Sequence, residues 1–277
     1  MRRCRPLLGT YVELECDEAA VADAAFAAIE QVHCLMSAHD PNSELSQINR
    51  SAHRALVEVS EPTAEVLRRA TRWASLGEGA FDVVRAGREA VARGALPLHP
   101  GQPLPDPAAG WSALHLKGRA VTLDRPACVD LGGIAKGYAV DLAIEAMRRA
   151  GATRGLVNAG GDLRGFGKGP WSVAVADPLT RQPLVMIALD NQALATSAGL
   201  PCERVGLDFA HLPRSRQRWL SVTVRATNAC DADALTKIVW AMGEEAEGLL
   251  LDHGAEAFAI DANRQVSPLG RAMVTAA

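Results

Sequence analysis

Lysine is scarce in this 277-residue chain: four of its 29 basic residues, Lys117, Lys136, Lys168 and Lys237, are lysines and the rest are arginines. Aromatic side chains are few as well, 12 in all, and acidic residues outnumber basic ones by 32 to 29, for a formal net charge of −3. A general nucleic-acid binder needs a basic face and stacking platforms, and this composition supplies neither. No apolar run reaches the ~18 residues a membrane-spanning helix needs, so no transmembrane segment is expected. The basic start Met1-Arg2-Arg3-Cys4-Arg5-Pro6 is not followed by the apolar run of ~7–15 residues that a signal peptide or lipoprotein leader carries. The chain therefore reads as cytoplasmic if Met1 is its start, and as periplasmic if it is a trimmed mature form. Six cysteines are scattered without a C-x-x-C pair, which fits ordinary thiols better than zinc or a disulfide framework. The seven histidines form no H-x-x-x-H or H-E-x-x-H, and no G-x-S-x-G occurs, so zinc and serine hydrolases are disfavoured.

Apolar residues, at 48%, are ample for a packed core and exclude disorder and collagen-like architecture. The length suits one large domain or two small ones, and a single domain over residues 1–277 is expected. Alternation predicts strands at 10–15, 120–123, 155–157, 171–176, 184–189, 220–225 and 257–260. Helical periodicity marks 18–38, 63–76, 134–150, 233–242 and 244–252, and Asp40-Pro41-Asn42-Ser43 is a turn that opens a short helix through Ile48. The Pro-rich stretch at about 95–110 reads as an exposed connector. The mixture, with short gaps between strands, indicates an α+β fold with layered antiparallel or mixed sheets and packed helices.

Three constellations could carry chemistry. In Val129-Asp130-Leu131-Gly132-Gly133-Ile134-Ala135-Lys136-Gly137-Tyr138-Ala139-Val140-Asp141 a strand is expected to end in Asp130, the glycines to let a ligand approach, and a helix to begin. A helix N-terminus and an ammonium favour phosphate, although the spacing matches neither the P-loop nor the G-x-G-x-x-G fingerprint. A tight strand-to-helix turn with a solvated lysine is the equally weighted alternative. Asn158-Ala159-Gly160-Gly161-Asp162 is a second glycine cluster, read either as a loop with positive φ or as the second βα loop of a shared nucleotide site. In Cys230-Asp231-Ala232-Asp233-Ala234-Leu235-Thr236-Lys237 the two carboxylates suit an N-cap and a first helical turn, or a hard-cation site. Asp233 and Lys237, four apart, share a helix face. Ser43-Glu44-Leu45-Ser46-Gln47-Ile48-Asn49 and Ala80-Phe81-Asp82 are weaker, readable as a capped helix and a loop with a buried aromatic.

Taken in order from Leu8-Gly9-Thr10 to about Ile260, these blocks resemble the ApbE-type flavin transferases, that is, FAD:protein FMN transferases. Trp171-Ser-Val-Ala-Val, Ala195-Thr196-Ser197, Ser221-Val-Thr-Val and Ala232-Asp233-Ala234 continue the collinear series. The resemblance implies a T-fold-like α+β architecture and transfer of FMN from FAD to a Ser or Thr hydroxyl of a target flavoprotein, with AMP leaving. It implies FAD contacts at Leu8, His39, Ala80, Phe81, Asp82, Asp130 and Lys136, and Mg²⁺ held by the Gly133 carbonyl and the Asp233 side chain. It gives neither the acceptor nor the oligomeric state.

Two departures from the family pattern stand out. A Thr metal ligand is usual four residues after the Asp of Ala-Asp-Ala; here that position is Lys237, with Thr236 one residue early. Lys237 is accordingly expected to contact the FAD diphosphate and to weaken or replace one Mg²⁺. The family's His-x-x-Asp-Pro-x-Thr-Gly loop is matched best by His211-Leu212-Pro213-Arg214-Ser215-Arg216, which lacks the Asp and the Thr-Gly. His211 could serve as a general base or be a surface histidine in an Arg-rich loop. Alternatives to the transferase are an FAD diphosphatase, with water replacing the acceptor hydroxyl, and an FAD-binding assembly factor that does not cleave FAD.

Overall fold

The structure is a computed structural model and describes residues 1–199 and 219–270. Strand β1 (Arg2–Leu7) turns back into β2 (Thr10–Glu15) through Leu8 and Gly9. Both turn residues have positive φ, 54° and 72°, the signature of a two-residue primed turn whose twist suits paired strands. Helix α1 (Ala19–Met36) buries Val21, Ala25, Phe26, Ile29 and Val32 along one face. In α2 (Glu44–Ser51) the Ser43 hydroxyl accepts the Ser46 N–H at 3.0 Å, the expected cap. There follow β3 (Val57–Glu58), α3 (Glu61–Leu76) with Pro62 in its first turn, α4 (Val83–Ala92), β4 (Leu114–Lys117), β5 (Ala120–Leu123) and α5 (Ala135–Arg149). Next come β6 (Gly155–Ala159), β7 (Asp162–Phe166), β8 (Trp171–Ala176), β9 (Pro183–Leu189) and β10 (Ala193–Ala198). The remaining described elements are β11 (Trp219–Ala226), α6 (Ala229–Met242), α7 (Glu247–Asp252), β12 (Glu256–Asp261) and β13 (Val266–Leu269).

The described residues divide into two compact units. The first contains residues 1–30, 136–199 and 219–270, built on an eight-stranded sheet in the order β1-β2-β6-β7-β10-β11-β12-β13. Every pairing in it is antiparallel. The β8–β9 hairpin forms its own two-stranded sheet and sends Val173, Val175, Val185 and Ile187 into a cluster with Leu163, Leu194, Phe258 and Ile260. The alternation in β8 and β9 that marked them as strands is this one-sided burial. Helix α6 packs on β10 and β11, and for that reason β11 is buried on both faces rather than alternating.

The second unit contains residues 31–135, with α2, α3, α4 and the antiparallel sheet β3-β5-β4. Trp73 of α3 is fully buried within it. Residues 93–110 contain no helix or strand, many of them are exposed, and the stretch is pinned at several points. Arg88 donates to the carbonyls of Pro107 and Ala109 at 2.6 and 2.7 Å, the Asp106 N–H reaches Pro126 O at 2.8 Å, and Leu96 and Ala109 are buried.

Several expectations are corrected. The segment before Gly132 is not a strand: residues 124–131 pair with no strand among the described residues, and α5 follows a turn at 132–134. Gly160-Gly161 is the hairpin turn between antiparallel β6 and β7, so it does not belong to a βα unit. Helix α6 starts at Ala229 behind an Asn228 cap, so Asp233 lies in its second turn and only Asp231 is a first-turn acid. Helix α1, at 18 residues and mean hydropathy 1.3, does have the length and composition of a membrane span, although one face is buried as in a core helix.

Candidate active site

In the second unit, the segment leading to Gly133 is held by a side chain remote in sequence. Asn49 of α2 donates from Nδ2 to the Val129 carbonyl at 3.1 Å and accepts the Val129 N–H on Oδ1 at 2.7 Å. One buried amide thus satisfies both backbone groups of an unpaired residue, as an adjacent strand would. The Asp130 N–H donates to Val83 O at 2.9 Å, and Asp130 Oδ1 accepts the Gly132 N–H at 2.8 Å, closing the turn before α5. Asp82 caps α4, its Oδ1 accepting the Val84 and Arg85 N–H groups at 2.9 Å while Oδ2 takes the Trp111 N–H at 3.1 Å. Its oxygens are committed to backbone, so Asp82 shapes the Ala80–Phe81 loop. Phe81 is buried, Ala80 is half-buried and His39 is exposed in a turn.

The first unit gathers charge at one place. Lys136 at the start of α5 forms an ion pair with Asp162 at the start of β7, and its Nζ lies 3.6 Å from Asp233 Oδ2. Lys237 is paired with Asp233 Oδ1 and also donates to the Asp233 carbonyl oxygen at 3.0 Å. The Gly137 N–H donates to Asp233 Oδ2 at 3.3 Å. Two carboxylates and two ammonium groups thus form one cluster of zero formal charge. Asp233, Lys237 and Asp162 are buried, at 0%, 2% and 3% side-chain exposure, whereas Lys136 keeps 27%. Lys136 is therefore the member that can meet an anion from outside.

The cluster shifts its own equilibria. Burial opposes the Asp233 charge, but Lys136 and Lys237 outweigh it and hold the carboxyl below the usual range. Burial likewise opposes the Lys136 charge, and Asp162 and Asp233 outweigh it, holding the ammonium above the usual lysine range. Burial and the Asp233 charge push the Asp162 carboxyl up. Asp162 follows the Gly160-Gly161 pair in sequence, and its contact with Lys136 depends on those glycines forming the β6–β7 hairpin turn rather than a βα loop.

Helix α6 is fixed by a second carboxylate that sequence reading had not singled out. Asp141 of α5 accepts the N–H groups of Ala229 and Cys230 at 2.9 Å, one on each oxygen, and pairs with Arg164 at 2.8 Å. Its signal was the spacing Lys136…Asp141, which puts both on one helix. The Thr236 hydroxyl donates to the Asp233 carbonyl and meets Ser197 Oγ, both at 2.7 Å. Beside the β6–β7 turn lies a cavity of about 290 Å³ lined by Asn158, Gly160, Gly161, Thr196, Arg181 and Ser221 among others. Leu8 adopts φ +54°, uncommon for a branched apolar residue, in the β1–β2 turn. His211 and its loop lie outside the described residues.

Comparison with known families decides what this arrangement belongs to. The model of the ApbE family matches residues 8–259, through both compact units. The chain belongs to the ApbE family. It is 30% identical over 248 residues to the FAD:protein FMN transferase of Haemophilus influenzae, covering 79% of this chain and 71% of that one. The FAD:protein FMN transferase of Vibrio cholerae is 30% identical over 251 residues, covering 78% and 72%. The crystal structure of the ApbE protein of Thermotoga maritima superposes with a TM-score of 0.81 at 26% identity, covering 97% of this chain and 96% of that one. The flavin transferase ApbE of Vibrio cholerae gives the same TM-score and coverage at 24% identity, a likeness of fold.

Membership in the ApbE family raises the question of Mg²⁺, and the residues at Asp233 do not fit it. A hard divalent ion takes oxygen ligands and needs carboxylate oxygens that no cation already occupies. Here Oδ1 of Asp233 is held by Lys237 and Oδ2 by the Gly137 N–H with Lys136 nearby. The Thr236 hydroxyl is turned to its own helix. Among the described residues no group of three or more His, Cys, Asp or Glu could hold a metal.

Proposed function

We propose that this chain transfers FMN from FAD to a Ser or Thr hydroxyl of a target flavoprotein, releasing AMP. The observation that carries the reading is the family match through residues 8–259, which includes the Lys136–Asp162–Asp233 cluster. That continuous match also supports treating the two compact units as one flavin transferase domain.

FAD joins two phosphates through one oxygen. The acceptor hydroxyl oxygen attacks the phosphorus on the FMN side, the bond to the bridging oxygen breaks, and that oxygen leaves with AMP. The hydroxyl proton passes to a base, the role proposed for His211. Such a transfer demands positioning and charge neutralisation more than covalent help. Lys136, half-buried yet held firmly protonated, meets the diphosphate. By resemblance to the family, Leu8, His39, Ala80, Phe81, Asp82 and Asp130 are further FAD contacts, with Asp130 and Asp82 acting through the loops they close. Gly133 with Asp233 is the family's Mg²⁺ pair by resemblance, and no step here is assigned to a metal.

The test is a gel. Incubation with FAD and an acceptor flavoprotein from the same genome should give a covalent fluorescent acceptor band and an equal amount of AMP. AMP with free FMN and no band would instead identify an FAD diphosphatase. FAD binding without AMP would identify a binding or assembly factor.

A further inference from the structure

A buried lysine needs a reason. Removing an ammonium from water costs several kcal/mol, and a pair of buried charges often adds no more stability than apolar side chains of the same volume. Lys237 sits in the second half of α6, 2% exposed, where Ala234, Leu235 and Ile238 beside it are all buried and apolar. A methionine would fill the space without the desolvation cost, so packing alone does not account for an ammonium there.

Its contacts are specific. An ammonium has three N–H donors. One meets Asp233 Oδ1 and a second meets the Asp233 carbonyl oxygen. Both acceptors belong to Asp233 itself. The carboxylate that Lys237 holds is shared with Lys136, the cluster's partly open member. The charge near Asp233 is therefore supplied by the chain itself, in two fixed ammonium groups, and the carboxylate is neutralised before any ion arrives.

We propose that Lys237 supplies at Asp233 the positive charge that a divalent ion would otherwise supply, so that this site binds FAD with no metal there. Lys136 then takes the diphosphate from its open side, while Lys237, buried behind it, holds the Asp233 carboxylate neutralised. The inference rests on the flavin-transferase reading for its ligand, but its claim about the ion stands apart from that reading.

The experiment uses the whole chain and two readouts. Mg²⁺ alone is titrated calorimetrically into the metal-stripped protein, and FAD binding is followed by quenching of flavin fluorescence in millimolar Mg²⁺ or in EDTA. The wild type should give no Mg²⁺ heat that depends on Asp233, and its FAD affinity should differ by less than about twofold between the two conditions. Lys237→Thr should create a Mg²⁺ site and make FAD affinity metal-dependent by ~10-fold or more. Should Lys237→Thr fail to fold by circular dichroism, the wild-type measurements decide alone. A Mg²⁺ heat in the wild type that vanishes in Asp233→Asn, or wild-type FAD binding lost in EDTA and restored by Mg²⁺, overturns the proposal. Failure of the wild type to bind FAD under either condition would overturn the flavin reading, and the Mg²⁺ titration would still decide the question of the ion.

Discussion

Gly137 lies directly against the carbonyl of Ala229: a Cβ added at Gly137 would come within 2.1 Å of that oxygen. The contact brings the first turn of α5 against the first turn of α6, and the Gly137 N–H then reaches Asp233. Gly137→Ala must push the two helices apart. Overpacking of this kind costs up to about 3 kcal/mol, which for a chain of this size lowers Tm by roughly 6–12 °C. Thermal unfolding followed by circular dichroism checks the value. An unchanged Tm would mean that the helices are less closely apposed.

Asn49→Ala should leave the Val129 N–H and carbonyl unpaired in a buried setting. Each orphaned group costs about 1–3 kcal/mol, so a loss of roughly 2–6 kcal/mol is expected in urea denaturation. The local signature is sharper than the global one. Hydrogen exchange at the Val129 amide should accelerate strongly, because that N–H loses its acceptor.

The Cys128 thiol is pushed up to about 12 by burial and by the neighbouring Asp130 charge. Thiolate is the reactive form, so Cys128 should resist iodoacetamide in the native protein at neutral pH. Exposed Cys4 and Cys34 should label readily. Peptide mapping after timed alkylation checks this. Because the folded value is raised, the associated stability is present below the ordinary thiol range and is lost as pH rises toward about 12.

The ion cluster should shape stability against pH from both ends. Asp233 is held low, so its contribution is present above the ordinary Asp range near ~3.9 and is lost as pH falls through its folded value. Lys136 is held high, so its contribution is complete below the ordinary Lys range near ~10.4 and is lost as pH rises through its folded value. Asp162, pushed up, has the opposite sign to Asp233 and partly offsets it in acid. Urea midpoints measured across pH should show Asp233→Asn flattening the acid limb and Lys136→Met flattening the alkaline one.

Residues with plain periodicity were legible from the sequence. β8 matched at Trp171–Ala176 and β5 at Ala120–Leu123, and α1 and α5 each matched to within two residues at either end. Misreadings cluster at glycines, whose sequence signal does not say why flexibility is needed. Gly87 obscured α4, yet it is required there because a Cβ would lie 2.1 Å from the Cys128 carbonyl. Gly165 obscured β7, where a Cβ would meet the Trp171 ring at 2.4 Å. Gly160-Gly161 suggested a ligand loop and formed a hairpin turn instead. β1, β3, β4, β10 and β13 were missed as strands because they are short or lack an apolar alternation. Of the site, Lys136, Asp233 and Lys237 were singled out by type and spacing. Asp162 and Asp141 acquire their roles only from partners 23 to 96 positions away, counting the contacts that tie them and Asp233 into one place.

β2 and β6 are neighbours in the large sheet, with Val12 opposite Ala159 and Glu15 opposite Leu156, although residues 31–135 of the second unit are encoded between them. Thermodynamically the long closure is cheap, since its cost grows only with the logarithm of the intervening length. For a nascent chain the cost is time. At roughly 5–20 residues per second, a ribosome needs on the order of 7–30 s to move from the end of β2 to the start of β6. Throughout that interval the β1–β2 hairpin has an open edge on β2, guarded by the carboxylates of Glu13 and Glu15. Charged side chains on such an edge disfavour pairing with a stray strand, and β6 covers that edge in the finished sheet.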